Sequence, residues 1–380
     1  MEFELNDSQQ MIQNMARDFA EKNVASRIEE IERDRICPHD LFMKMADAGF
    51  LGLTFPEKYG GSDLGYDHWV LAMEQIAKVS ASVATTFQVA TLFLETLRTC
   101  GSDEQIDYYL AAGIRGDYIG SSAFTEPGTG SDPRQLITTY RKEGDYYIIN
   151  GTKRFITGAG YKGPILIFAK DAENGEVSTF ITEKFCEGYS LSTPWGAIGW
   201  KGSALYDVFL DNVKVRTEDS NILGPIGKGF ENILDSVSFG KVGLAAISLG
   251  TMLASYEAAI KYSKEKMHRD RSISKFQAIQ LKISRIAAMY ESARWMVYKL
   301  GVDASNIRDP KEYKAHVAVV KAYVTDLAPK CNFMAMNILG AYGVTEEYNV
   351  ERFMRDSLVT PHVEGVNDIN RVISGKYILK

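Results

Sequence analysis

Apolar residues recur every three to four positions through the first third of the chain. Met11, Met15 and Phe19 mark one such stripe, which is typical of the buried face of an amphipathic helix. Asp7 or Ser8 precedes the stripe and is suited to cap the helix start. The same spacing predicts further helices from about residue 39, over 66–79, over 82–98, and from a Ser-x-x-Gln capping box at Ser102.

The pattern changes near Asp117, where short runs rich in β-branched and aromatic residues replace the helical stripes. These runs lie at 118–124, 146–149, 164–168, 177–181 and 206–210. The pairs Asn150-Gly151 and Asn174-Gly175 fall between them and favour the tight turns of hairpins. Short strands at this spacing predict an antiparallel sandwich or barrel.

After residue 224 the helical period returns and continues to the end of the chain. Long helices are predicted over about 229–266, 275–302 and 310–339, with a last one from about Asn367. Long helices with apolar stripes pack as a bundle. We therefore expect a mostly α, α+β fold, with an N-terminal α-helical domain at 1–117, a central antiparallel β-sheet domain at 118–224 and a C-terminal helical bundle at 225–380.

The composition is that of an ordinary globular protein, with 45% hydrophobic and 24% charged residues among 380. A net charge of -6 disfavours nucleic-acid binding, because phosphate contacts need a basic surface. The acidic start of the chain is unlike a signal peptide, and the longest nearly apolar run, 242–254, is shorter than the ~20 residues of a membrane span. We expect a cytoplasmic protein without a membrane span, in which this run is a buried core helix. The histidines are scattered and form no metal-binding motif.

The segment 125–132, Thr-Glu-Pro-Gly-Thr-Gly-Ser-Asp, follows a predicted strand. Gly128 and Gly130 let the backbone turn tightly and approach a ligand closely, and Thr125 and Ser131 add hydroxyl groups. Such a loop suits the polar edge of a flavin or a phosphate; an ordinary tight loop is the alternative. It matches neither the Walker loop nor the GxGxxG fingerprint.

Three other segments carry candidate chemistry. At Phe155-Ile156-Thr157 an aromatic ring beside a hydroxyl group can stack on a planar ligand and bond its edge; a half-buried strand is the alternative. Glu364 precedes the last helix, where the helix dipole also favours an ordinary solvated carboxylate, and Gly365 leaves room for a substrate. The charged run 264–271 is either a phosphate-binding segment or a solvated surface.

The order of these segments resembles the acyl-CoA dehydrogenase family over essentially the whole chain. The resemblance rests on the loop 125–132, on Asn150-Gly151-Thr152-Lys153 with Phe155-Ile156-Thr157, on Gly340-Ala341-Tyr342-Gly343 followed by Arg355-Asp356, and on Val363-Glu364-Gly365. It implies an α domain, a β domain and a C-terminal four-helix bundle. It also implies FAD as cofactor, an acyl thioester of CoA or of an acyl carrier protein as substrate, and a homotetramer or homodimer.

In the implied mechanism Glu364 removes the α-proton of the thioester, and the β-hydrogen leaves as hydride to flavin N5. A backbone amide and a flavin hydroxyl group polarise the carbonyl, a device whose single donors are worth ~3 kcal/mol. The resemblance implies substrate contacts at Ser131, Lys241, Val363 and Gly365. It implies FAD contacts at Phe124, Thr125, Gly130, Ser131, Phe155, Ile156, Thr157, Lys266, Arg269, Asn337, Gly340, Ala341 and Val366.

The sequence departs from the family pattern at several of these positions. Val366 stands in place of a threonine, Val363 in place of a tyrosine and Lys241 in place of an arginine. Lysine offers a point charge where arginine offers a planar fork. The segments that resemble contacts to a neighbouring subunit's FAD are also altered, at Lys266, Arg269, Asp270, Asn337 and Ala341.

Two other functions stay open at this point. A flavin monooxygenase of the same fold would lack the base, so the presence of Glu364 argues against it. A homologue that has lost catalysis and serves as a binding protein would account for the altered FAD contacts. No motif specifies the electron acceptor.

Overall fold

The computed structural model describes residues 4–307 and 309–380, and the fold has three parts along the chain. The first part is helical, with α1 (Asp7–Phe19), α2 (Ile28–Asp34), α3 (His39–Asp47), α4 (Tyr66–Val79), α5 (Ala81–Cys100) and α6 (Asp103–Ile114). A π-helical turn, Ala20–Val24, continues α1. The helices predicted in this part of the chain are confirmed.

Polar side chains fix where these helices begin. Asn6 accepts a hydrogen bond from the amide of Gln9, whose side chain bonds back to the Asn6 amide. Asp7 and Ser8, the two residues predicted as alternative caps, instead lie in the first turn of α1, so that prediction is wrong. The capping box at Ser102 and Gln105 is confirmed at the start of α6.

The middle part is a seven-stranded sheet. Its strands are β1 (Ser121–Ala123), β2 (Thr139–Glu143), β3 (Tyr146–Thr157), β4 (Pro164–Asp171), β5 (Val177–Glu183), β6 (Tyr189–Leu191) and β7 (Leu205–Arg216). Their order is β1-β4-β2-β3-β7-β6, and β5 pairs with β4. The sheet is mostly antiparallel, as predicted, but β1 and β2 each run parallel to β4.

The pair Asn150-Gly151, predicted as a hairpin turn, lies inside β3, so this prediction is wrong. β3 continues past the pair because a bulge shifts its pairing with β7 at this point. Across the bulge, the amide of Asn212 donates to Asn150 Oδ1 at 2.9 Å. The second predicted pair, at 174–175, does connect β4 to β5, with its glycine left-handed at a φ of 78°.

The last part is a helical bundle. It contains α7 (Gly229–Glu265), α8 (Gln277–Ser305), α9 (Pro310–Leu339), α10 (Val350–Ser357) and α11 (Asn367–Ile378). A short hairpin of β8 (Met267–His268) and β9 (Arg271–Ser272) joins α7 to α8. The four predicted helices of this part are confirmed, whereas the short α10 is not predicted by the pattern.

The helix α7 is central to the fold and packs against α4, α5, α8 and α9. It is long and apolar enough to cross a membrane by length and composition, but 78% of its most apolar stretch is buried inside the protein. Helices from both ends of the chain share one hydrophobic core, and the sheet adds a core of its own. This arrangement places α7 between the N-terminal helices and the rest of the bundle.

Candidate active site

Glu364 lies on the turn between α10 and α11, which is called the Glu364 turn here and comprises residues 361–367. Its backbone is left-handed, with a φ of 51°, and Gly365 follows with a φ of 78°. This conformation costs a residue with a Cβ about 1–2 kcal/mol, so the surrounding structure must hold it. Val363 packs against the main core, and Val366 occupies the N-cap position of α11.

A glycine on α7 makes room for the carboxylate. A Cβ at Gly240 would lie 2.6 Å from Glu364 Cδ, closer than real Cβ contacts. A Cβ at Gly243, on the same face of the helix, would lie 2.6 Å from Gln88 Cδ. Gln88, on α5, also donates from Nε2 to the Gly240 carbonyl at 2.8 Å. The two glycines therefore accommodate the carboxylate and the amide beside each other on α7.

Two buried lysines face the Glu364 carboxylate. Lys241 on α7 is 7% exposed and Lys321 on α9 is 0% exposed. Burial raises the pKa of Glu364 to about 7, and attraction to both ammonium groups opposes that rise. Burial also lowers the pKa values of Lys321 and Lys241, and attraction to Glu364 opposes that decrease in both. Near neutral pH the carboxyl group can therefore hold or release a proton, which suits a general acid or base.

Neighbouring residues of α5 contact both the region around Glu364 and the end of β3. Val89, next to Gln88 in sequence, has its Cγ1 3.4 Å from the position of a Cβ on Gly158. Val89 and Thr157 line the same cleft. The residues that line this shallow cleft are Thr86, Val89, Ile119, Thr157, Gly158, Tyr161, Ser203 and Ala204.

The two residues before Thr157 have different environments. Phe155 is left-handed at a φ of 58°, and its ring is 49% exposed and has its centroid 5.4 Å from that of Trp195. Ile156 is buried in the core of the sheet. Phe155 can therefore present a ring to a planar ligand, whereas Ile156 can reach one only through its backbone.

The loop 125–132 is a compact turn with open amides. Glu126 and Thr129 pair through both backbone amides, at 2.9 and 3.1 Å. Thr125 is half-buried, whereas Gly130 and Ser131 are exposed. In the part of the chain that the structure describes, the amides of Gly130 and Ser131 make no hydrogen bond, so both are available to a ligand.

A buried ion pair anchors this loop to β3. Lys153 Nζ lies 2.8 Å from Glu126 Oε1, and both side chains are 0% exposed. Lys153 also donates to the carbonyls of Phe124 at 3.3 Å and Phe168 at 2.5 Å, while Glu126 accepts from the amides of 137–138. Burial lowers the pKa of Lys153 to about 8. Burial raises and Lys153 lowers the pKa of Glu126, with a net decrease, so the pair is ionised at neutral pH.

The remaining predicted FAD residues lie exposed at the far end of the bundle; they are Lys266, Arg269, Asn337, Gly340 and Ala341. Lys266 Nζ lies 5.3 Å from the ring centroid of Tyr342. The segment that carries Lys266 and Arg269 is therefore next to the segment that carries Gly340 and Ala341. The stretch of α7 from Gly240 to Lys266 spans about 39 Å at ~1.5 Å per residue. A single chain therefore does not bring this group near Glu364 or Thr157.

The residues around the cleft fit FAD. Ser203 is 5% exposed, and its Oγ has no hydrogen-bond partner among the described residues. A planar ligand with polar edges would satisfy this hydroxyl group and the open amides of the loop, and Phe155 would flank it. No group of three or more His, Cys, Asp or Glu side chains within residues 4–307 and 309–380 is arranged to hold a metal ion.

Sequence reasoning missed two residues of the site. Lys321 stands alone in the apolar run 317–324, and a single charge in such a run is a signal of a buried, paired group. Gln88 is a polar residue inside α5, most of whose residues are buried, and nothing in its sequence context points to Gly240.

Known proteins match the chain over its whole length. Models of the acyl-CoA dehydrogenase N-terminal, middle and C-terminal domains match residues 6–117, 121–213 and 227–379. A 3-(aryl)acrylate reductase of Clostridium sporogenes is 34% identical, over 98% of this chain and 99% of that protein. A subunit of a caffeyl-CoA reductase–Etf complex of Acetobacterium woodii is 34% identical over 99% of each. The structure of butyryl-CoA dehydrogenase from Megasphaera elsdenii superposes with a TM-score of 0.95, at 30% identity over 100% of both chains.

Lys153→Met should destabilise the protein by ~3–5 kcal/mol, because it leaves the Glu126 carboxylate buried without its partner. Urea unfolding followed by far-UV circular dichroism measures this change. Lys142→Met, at an exposed position of β2, is the control and should shift stability by less than ~0.5 kcal/mol. Equal, small effects of both substitutions would contradict a role of the ion pair in holding the loop.

Proposed function

Because this chain belongs to the acyl-CoA dehydrogenase family, we propose a mechanism in which Glu364 exchanges the α-proton of an acyl thioester. The chain is an FAD-dependent oxidoreductase that acts on the CH–CH group of the acyl chain. One observation carries the assignment of Glu364. Its carboxyl group lies against Gly240 of α7, and burial of the carboxyl group raises its pKa to about 7.

FAD, when bound, accepts the β-hydrogen as hydride. We propose that the chain contacts it through Phe124, Thr125, Gly130, Ser131, Phe155, Ile156, Thr157 and Val366. The open amides of Gly130 and Ser131 support the loop contacts, and the exposed ring of Phe155 supports the contact with the flavin ring.

Glu364 performs the proton transfer in this proposal. Its carboxylate takes the α-proton during oxidation and returns it during reduction, and its backbone amide polarises the thioester carbonyl. Lys241 makes no hydrogen bond or ion pair with the residues that the structure describes, so its ammonium group is available to the substrate. We propose that Ser131, Lys241, Val363 and Gly365 contact the acyl thioester.

We propose a CoA thioester as the substrate and an electron-transferring flavoprotein as the redox partner. The first rests on relatives that are named for CoA thioesters, and the second on the relative that forms a complex with Etf. A carrier-protein thioester is the alternative handle. A cytoplasmic location, with α7 as a core helix rather than a membrane span, is also part of the proposal.

We further propose that the protein is a homo-oligomer, either a tetramer or a dimer. Lys266 lies about 39 Å from Gly240 along α7, and Asn337 lies about 24 Å from Lys321 along α9. We therefore propose that Lys266, Arg269, Asn337, Gly340 and Ala341 contact FAD bound by a neighbouring copy. The outer faces of α8, α9 and α11 also expose apolar side chains, namely Leu281, Val319, Tyr323, Phe333, Val372 and Ile373. Such a surface suits burial against a second copy.

Glu364→Gln should slow flavin reduction by acyl-CoA at least ~10²-fold, because the amide cannot take the α-proton. FAD should stay bound, since the amide has the same shape. Anaerobic stopped-flow spectroscopy with a panel of acyl-CoA and acyl-carrier thioesters measures the loss of flavin absorbance. Glu312→Gln, exposed in the first turn of α9, is the matched control, and normal bleaching by Glu364→Gln would refute the assignment.

The pH dependence of kcat/KM should follow the ionisation of the Glu364 carboxyl group. Oxidation needs the ionised carboxylate, so kcat/KM for acyl-CoA oxidation should rise with pH through a midpoint near 7. Reduction of the enoyl-CoA needs the protonated form, so its kcat/KM should fall through the same midpoint. Both rates are measured from about pH 5.5 to about pH 9. A midpoint near the ordinary glutamate value of about 4.3 would count against a buried base.

Phe333→Glu should dissociate the oligomer, because it places a charge in the proposed apolar contact. It should also weaken FAD retention if residues of a neighbouring copy bind the cofactor. Light scattering after size-exclusion chromatography gives the mass, and the absorbance ratio gives the FAD content. Tyr108→Glu, at an exposed position of α6, should change neither, and a wild-type monomer with full FAD content would exclude this arrangement.

A further inference from the structure

The Glu364 turn combines two consecutive left-handed residues, Glu364 and Gly365, with φ values of 51° and 78°. The hydrogen bonds that hold such a turn must come from outside it, because it forms no regular ladder of its own. A turn that moves by about 1 Å would also move the base relative to the α-carbon, and a displacement of that size can cost ~10² in rate.

Lys321 supplies three of these hydrogen bonds, and Asn370 Nδ2 adds one to the Gly365 carbonyl at 2.8 Å. Its Nζ donates to the Gly365 carbonyl at 2.8 Å, to Asn367 Oδ1 at 2.8 Å and to the Pro361 carbonyl at 3.4 Å. The acceptors lie on both sides of Glu364 in sequence. A lysine ammonium has three donors, and all three are directed to the Glu364 turn.

Asn367 extends this attachment along α9. Its Nδ2 donates to Thr325 Oγ1 at 2.9 Å and to Asp326 Oδ1 at 2.6 Å. Thr325 Oγ1 in turn donates to Asn367 Oδ1 at 3.1 Å. The Glu364 turn is therefore fastened to more than one turn of α9, with Lys321 at the centre of the contact.

Lys321 also acts on Glu364 through its charge. It is 0% exposed, and attraction to its ammonium group opposes the effect of burial on the pKa of Glu364. The other charged groups that face Lys321 are Lys241, Asp326 and Arg371. Of these, only Lys241 also acts on Glu364, so loss of Lys321 would leave the carboxylate with one positive neighbour.

We propose that Lys321 is a positioning residue of this site, which holds the Glu364 turn through three oxygen acceptors and supplies positive charge that favours the ionised form of the base. This inference rests on the proposed function of Glu364. Lys321 does not touch the reacting atoms and acts through the base alone.

Lys321→Met tests this role because methionine fills a similar volume without charge or donors. We expect kcat for acyl-CoA oxidation at pH 7 to fall ~10²-fold with KM changed by less than ~3-fold. The rising limb of the pH profile should move upward by about one unit, because an ammonium group that lowers the pKa of Glu364 is gone. FAD content and the α-deuterium isotope effect are measured alongside, and the isotope effect should increase as proton transfer becomes rate-limiting.

Lys184→Met is the matched control. Lys184 is also buried, and its Nζ donates to the carbonyls of Ile119 at 2.6 Å and Gly158 at 3.0 Å. Its loss should lower stability without moving the pH limb, because it does not face Glu364. Lys321→Gln, which keeps donors but no charge, replaces Lys321→Met if the latter does not retain FAD.

The proposal would be overturned if the rising limb of the pH profile for acyl-CoA oxidation did not move in Lys321→Met or Lys321→Gln. It would also be overturned if both Lys321 variants failed to fold while Lys184→Met folded. The second result would assign Lys321 to bundle stability alone. Glu364→Gln separates the two claims: normal turnover of that variant would refute the base itself. If Glu364→Gln is inactive but the pH profile of the Lys321 variants is unchanged, only the role of Lys321 is refuted.

Discussion

The site depends on keeping one carboxylate out of water beside two positive charges. Burial alone would keep Glu364 protonated and would strip Lys241 and Lys321 of their protons, because it penalises every charged form. Placed together, the three groups offset one another, and the carboxyl pKa settles at about 7. Since the groups come from α7, α9 and the Glu364 turn, this balance exists only when the bundle is packed.

Three buried lysines hold irregular segments of the backbone in place by donating hydrogen bonds to them. Lys153, Lys184 and Lys321 each donate to a backbone carbonyl of an irregular segment, at 3.3, 2.6 and 2.8 Å. A carbonyl that is buried outside a helix or sheet needs a donor, and a lysine brings three of them on a long apolar stem. Two of these segments, the loop 125–132 and the Glu364 turn, carry the residues proposed to bind FAD and substrate.

The sequence predicts most of the fold because local signals and packing agree there. The long helices α7 and α9 have apolar faces that their neighbours cover, and Ser102 begins α6 as its capping box indicates. The hairpin turn predicted at Asn150 is wrong because Asn150 lies at a bulge inside β3. That bulge includes a hydrogen bond to Asn212, which is far from Asn150 in sequence and cannot be read from the local pattern. Motifs indicate the candidate segments 125–132 and 155–157 and the candidate base Glu364. The charge of Lys321 in an apolar run indicates burial, but its contact with the Glu364 turn follows only from the packing of α9.

The glycine at 240 restricts how this protein can be engineered for heat resistance. Replacement of a mid-helix glycine by alanine is a common stabilising change, worth about 0.5–1 kcal/mol where there is room for the methyl group. At Gly240 that methyl carbon would lie 2.6 Å from the carboxyl carbon of Glu364, and at Gly243 it would lie 2.6 Å from the amide carbon of Gln88. Consensus or library designs should therefore leave both positions untouched.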